Sequence, residues 1–74
     1  MKPEDDLTLR EQQVLELLAD GLCNKEIAAT LGCSPSTVQV HLTHIFNKLG
    51  VDNRVKAARR YWERYLRAAV VAVE

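Results

Sequence analysis

Glycine, proline and cysteine are scarce in this chain: three, two and two of its 74 residues. Two cysteines, Cys23 and Cys33, cannot build a disulfide framework. Together with His41 and His44 they make only a C-x9-C-x7-H-x2-H spacing. Structural zinc sites use close cysteine pairs on tight turns, so no metal and no cofactor is expected. Long apolar runs are also missing. The longest uncharged one covers residues 68–73, far short of the roughly 20 residues of a membrane span. The first six residues are acidic and lack a signal peptide's apolar stretch. A cytosolic chain with no membrane partner is the expectation. No nucleophile–base pair and no phosphate loop appears, so an enzyme is not expected. The size leaves room for one domain with a small core.

Net charge is absent too: ten Lys and Arg balance ten Asp and Glu. Taken alone, that weighs against a nucleic-acid partner. The distribution reads differently. Residues 1–24 hold two basic and six acidic groups, net −4, whereas residues 25–74 hold eight basic and four acidic groups, net +4. Such a dipole can present one basic face on a neutral molecule.

No segment alternates like a half-buried strand. The punctuation divides the chain into four helical segments. Thr8 and Glu11 fit a capping box that opens the first, with Leu7 as a staple before it, and Gly21 ends it. Val14, Leu15, Leu17 and Leu18 supply its apolar face. Glu11 is read as a cap and ion-pair partner rather than a catalytic acid. Asn24 is the expected N-cap of the second segment, where Ile27 and Leu31 face inward and Gly32 stops the helix. Ser34 caps the third, with Pro35 at its first position. Val38, Leu42, Ile45 and Leu49 then form a core stripe, and Gly50 ends it. On the opposite side, Ser36, Val40, Thr43 and Asn47, with Gln39 beside them, form an uncharged face rich in hydrogen-bonding groups. The fourth segment starts after Asp52 or Asn53 and is expected to run to about Val71. Its stripe is read as Val55, Ala58, Trp62, Tyr65 and Ala69.

The second and third segments meet at Gly32-Cys33. Helices joined by so tight a turn cross steeply, which makes residues of about 24–43 a helix-turn-helix. The second helix of such a motif places its N-terminal half in the major groove of DNA. The expected fold is all-α: a compact four-helix bundle with a long C-terminal helix, spanning residues 7–74. Residues 1–6 read as a linker remnant or the edge of an excised piece.

Four ordered blocks carry a resemblance. They are Leu7-Thr8-Leu9-Arg10-Glu11-Gln12-Gln13-Val14-Leu15, then Gly21-Leu22-Cys23-Asn24-Lys25-Glu26-Ile27-Ala28. Ser34-Pro35-Ser36-Thr37-Val38-Gln39-Val40-His41-Leu42 and Lys48-Leu49-Gly50-Val51-Asp52-Asn53-Arg54 follow. Over about residues 7–60 the chain resembles the LuxR/FixJ/NarL-type DNA-binding domain of bacterial transcription factors. The resemblance implies sequence-specific binding of palindromic double-stranded DNA as a homodimer, in the output domain of a two-component response regulator, with RNA polymerase as a further partner. It implies that Gln39 and Thr43 stand at the principal base-reading positions. Both are often basic in relatives and are neutral here. It implies that Val40 is an apolar groove contact, suited to a thymine methyl. Lys25, Ser36, Thr37 and Lys48 resemble backbone-contacting positions. The fourth helix, through Ala58, Trp62, Tyr65 and Ala69, is the implied dimer contact. Two other readings stay open. One is the promoter-reading domain of a sigma factor, against which the block at residues 48–54 and the long fourth helix speak. The other is a protein-interaction or dimerisation module that has kept the fold without DNA binding; neutral Gln39 and Thr43 speak for it.

Overall fold

The computed structural model describes residues 7–73, with side chains as far as Arg64. Residues 1–6, read above as a linker, lie outside the described residues. Four helices follow one another: α1 (Leu9–Ala19), α2 (Asn24–Leu31), α3 (Pro35–Leu49) and α4 (Arg54–Val73). There is no strand among the described residues. The all-α, four-helix architecture expected from the sequence is what the chain adopts.

Local chemistry sets each boundary. The Thr8 hydroxyl accepts from the Glu11 N–H at 3.1 Å, and the Thr8 N–H donates to Glu11 Oε1 at 2.9 Å. This is the reciprocal capping box expected for α1. Ser34 Oγ accepts from the Thr37 N–H at 3.2 Å, and Pro35 takes the first position of α3. Gly32 ends α2 at φ 73° and Gly50 ends α3 at φ 69°. Both lie in the left-handed region that a Cβ disfavours.

One cap differs from expectation. The N-cap of α2 is Cys23, and Asn24 is the first residue inside the helix. The reason is Glu26, whose carboxylate accepts the Cys23 N–H at 2.8 Å. The Ile27 N–H donates to the Cys23 carbonyl at 2.9 Å, so the ladder starts at Cys23 and Asn24 stands inside the helix.

The core gathers Leu7, Val14, Leu15, Leu18, Ile27, Ala28, Val38, Leu42, Ile45, Leu49 and Ala57. Every member of the α3 stripe is buried, as the steps of four, three and four require. Ala28 is small where α2 meets α3, and α3 packs on both α1 and α2. This fixes the inner face of α3 against the bundle and turns the other face outward.

The inward face of α4 is a correction to the sequence reading. Val55 is 69% exposed, while Ala57 is fully buried and Ala58 and Tyr61 are half-buried against the core. Contacts at several points along α4 hold this phase, beginning at its first residue. The Arg54 guanidinium reaches back across the α1–α2 turn and donates to the Leu22 carbonyl at 2.9 Å. In the same phase Val55 faces the surface and small Ala57 packs inward against the core. Trp62 is 39% exposed, and its indole N–H donates to the Ala19 carbonyl at 3.1 Å, closing α4 onto the end of α1.

Candidate nucleic-acid interface

The outward face of α3 is built from Ser36, Gln39, Val40, Thr43 and Asn47. All five are exposed, and Val40 keeps 54% of its surface accessible. At roughly 100° per residue these positions fall within about one quadrant of the helix. A helix of 15 residues is about 22 Å long, and B-DNA's major groove is about 12 Å wide, enough to admit it. Most of these side chains carry hydrogen-bonding groups without charge, which suits the reading of base edges.

Their hydrogen bonds refine what each can offer. The Thr43 hydroxyl donates to the Gln39 carbonyl one turn back, at 3.0 Å. Its proton is thereby used, so outward it presents lone pairs and a methyl group. Gln39 Oε1 accepts from Asn24 Nδ2 at 3.2 Å. Thr37 is held in the cap, its hydroxyl 3.0 Å from Ser34 Oγ. Lys25 is exposed on the first turn of α2.

Lys48 stands apart. It lies on the flank of α3, and its ammonium is 2.6 Å from Glu11 Oε1, with the side chain 32% exposed. Glu11 is only 4% exposed and is the one buried charged residue among those described. Burial pushes its carboxyl up. Hydrogen bonds from Lys48 and the Thr8 N–H, with the Lys48 charge, outweigh burial and hold it below its ordinary value of 4.5. His44 Nδ1 lies 3.9 Å from the other carboxylate oxygen. Glu11 is therefore the cap and ion-pair partner that the sequence suggested, joining the start of α1 to the far end of α3.

Among the proposed dimer residues, Ala58 packs against the chain's own core and Trp62 bonds to Ala19. The side chains of Tyr65 and Ala69 lie outside the described residues. The basic residues of α4 divide. Arg54 is drawn into the bundle, and Lys56 pairs with Asp52 at 2.9 Å on the surface. That pairing holds the Asp52 carboxyl below its usual range. Two contributors escaped the sequence reading: Asn24, taken only as a cap, and Arg54, taken only as the end of the fourth matching block. The structure joins them to Gln39, and nothing in linear order signals that association.

No cluster of three or more His, Cys, Asp or Glu able to hold a metal occurs among the described residues. No helix among them is long and apolar enough to cross a membrane. Residues 5–61 match the family described as bacterial regulatory proteins, luxR family. The transcriptional regulatory protein UhpA of Escherichia coli is 55% identical over 60 residues, covering 81% of this chain and 31% of UhpA. The nitrate/nitrite response regulator protein homolog of Haemophilus influenzae is 48% identical over 61 residues, 82% of this chain and 29% of that protein. The nitrate/nitrite response regulator protein NarL of Escherichia coli is 46% identical over 54 residues, 73% of this chain and 25% of NarL. The chain thus spans under a third of the length of these relatives. It belongs to the luxR family of bacterial regulatory proteins, a class of transcriptional regulators, and carries their helix-turn-helix domain.

Proposed function

We propose that this chain binds double-stranded DNA with α3 in the major groove, in a sequence-specific way, as the output domain of a response regulator in the bacterial cytoplasm. The observation that carries this reading is the contiguous, uncharged, hydrogen-bonding face of Ser36, Gln39, Val40 and Thr43, aimed away from the core. Gln39 is the principal reader, able to donate to purine N7 and accept from adenine N6. Val40 meets a thymine methyl, and Thr43 offers an acceptor. Lys25, Ser36, Thr37 and Lys48 meet phosphates, which orient the domain without reading sequence. Lys48 divides its ammonium between Glu11 and the backbone.

The binding unit is a homodimer on a palindromic site. One small module buries only about 600–1,000 Å², so a second copy raises affinity. Helix α4 supplies the contact through Ala58, Trp62, Tyr65 and Ala69, with the exposed Val55 beside them. RNA polymerase is a further partner.

The test is a gel shift against random duplex, repeated across salt concentrations. Each neutralised phosphate adds about −0.9 to the log–log slope, so several units per dimer are expected. Failure to bind at low salt would favour the interaction module. Sedimentation with and without a palindromic duplex tests the dimer. A Tyr65→Asp, Ala69→Asp double variant that still bound two-to-one with unchanged affinity would remove α4 from that role.

A further inference from the structure

Three polar side chains form a directed chain that ends on the reading face. Arg54 Nη1 donates to Asn24 Oδ1 at 2.5 Å, and Asn24 Nδ2 donates to Gln39 Oε1 at 3.2 Å. The other arm of the guanidinium is anchored on the Leu22 carbonyl. From this we infer that Asn24, oriented by Arg54, is a positioning residue that decides which end of the Gln39 amide faces the groove, and therefore which bases Gln39 accepts. The inference rests on the proposed reading of α3 as the groove helix.

The direction of the chain follows from donor chemistry. A guanidinium has donors only. The side of the Asn24 amide turned to Arg54 must therefore be its oxygen. The side left for Gln39 is then the NH2 group, which can only donate. A donor faces an acceptor, so Gln39 Oε1 turns toward α2 and its NH2 turns outward. Rotating the Gln39 amide by half a turn would set two NH2 groups against each other. Asn24 is free for this work because it stands inside α2, whose ladder begins with the Ile27 N–H on the Cys23 carbonyl.

Gln39 consequently presents a donor first. Guanine offers N7 and O6 to a donor, adenine N7, and thymine O4. Cytosine presents only its N4 donor and is the base rejected most strongly. This sharpens the expectation of simple adenine readout: the relay ranks the four bases by whether they accept.

The experiment selects bound duplexes from a random pool using the wild-type chain, Gln39→Ala, Asn24→Asp, Asn24→Ala and Arg54→Lys, with melting followed in parallel. Asn24→Asp keeps an oxygen for Arg54 and replaces the donor facing Gln39 by an acceptor. The Gln39 amide then turns round and offers Oε1 to the base. At the position that Gln39→Ala alters, the cytosine-to-guanine ratio should rise about tenfold, within the range one good base contact supports. Other positions should keep their ranking, even if the added charge weakens all duplexes together. Asn24→Ala should flatten that one position. Arg54→Lys should do so less, because an ammonium lacks the planar fork that serves Asn24 and Leu22 together. If Gln39→Ala alters a position and all three relay variants leave it unchanged, the relay is overturned while the reading role stands. If Gln39→Ala leaves the whole profile unaltered, Gln39 does not read and the inference falls with it. Should Asn24→Asp fail to fold, Asn24→Ala and Arg54→Lys decide between the same outcomes.

Discussion

The two faces of α3 answer to different demands. Val38, Leu42, Ile45 and Leu49 on the inner face are buried in the common core, and packing selects them. Ser36, Gln39, Val40 and Thr43 on the outer face are exposed, and Gln39 alone of them bonds to a side chain of another helix, Asn24 of α2. One helix thereby separates stability from recognition. Substitutions inside should change whether the domain folds, and substitutions outside should change what it binds.

The strongest way to break the comparison is from within. Ile45 is fully buried at the centre of the stripe. Ile45→Ala should cost about 2–5 kcal/mol by lost burial and a residual cavity. A domain of this length holds only roughly 4–11 kcal/mol in total. Urea denaturation should show the loss directly, and any fall in DNA affinity should follow the unfolded fraction.

Glu11 comes next. Glu11→Gln removes the charge opposite Lys48 and should cost about 2 kcal/mol at neutral pH. The sign with pH is fixed by the lowered carboxyl. The contribution is complete above the ordinary value of 4.5 and is lost as pH falls through the lower value of the folded state. The gap between wild type and Glu11→Gln in urea midpoint should therefore close in acid. A gap unchanged at pH 3 would mean that ionised Glu11 is not what joins α1 to α3.

Gly32→Ala isolates the turn. A Cβ there meets nothing within 4 Å, so the cost is that of the φ of 73° alone, about 1 kcal/mol. Thermal melting would register it. A much larger loss would indicate crowding that the geometry does not contain.

The smallest stability effects belong to the outer face. Val40→Ala and Thr43→Ala should stay within about 0.5 kcal/mol of wild type. Each should nonetheless change duplex selection at its own position. Loss of stability without a change in selection would reverse the roles of the two faces.

Most of the architecture was legible because each boundary is local. Thr8 with Glu11, Ser34 with Pro35, and Gly32 and Gly50 act within four residues of where they stand. The α3 stripe was equally plain, since one helical period carries it. The α4 face was misread for a physical reason. Ala57 and Ala58 adjoin, as do Tyr61 and Trp62, so two phases of the helix look alike on paper. The choice between them is held by long-range bonds, Arg54 to Leu22 and Trp62 to Ala19, 32 and 43 residues apart in sequence. The support beneath Gln39 was hidden in the same way, because Asn24 lies 15 residues before it and displays the residue type of an ordinary cap. The Lys48–Glu11 pair spans 37 residues. Its acidic half was visible as a cap, but its basic half could be placed only by folding.

Recognition through the outer face of α3 is tested most directly by titrating the isotopically labelled chain with duplex DNA and following its backbone amide resonances. The largest changes should fall at Lys25, Ser36, Gln39, Val40 and Thr43, fading as salt is added. The exposed face of α1, at Leu9, Gln13 and Glu16, should stay still. Unmoved α3 resonances, or changes confined to α1 and α4, would contradict the account.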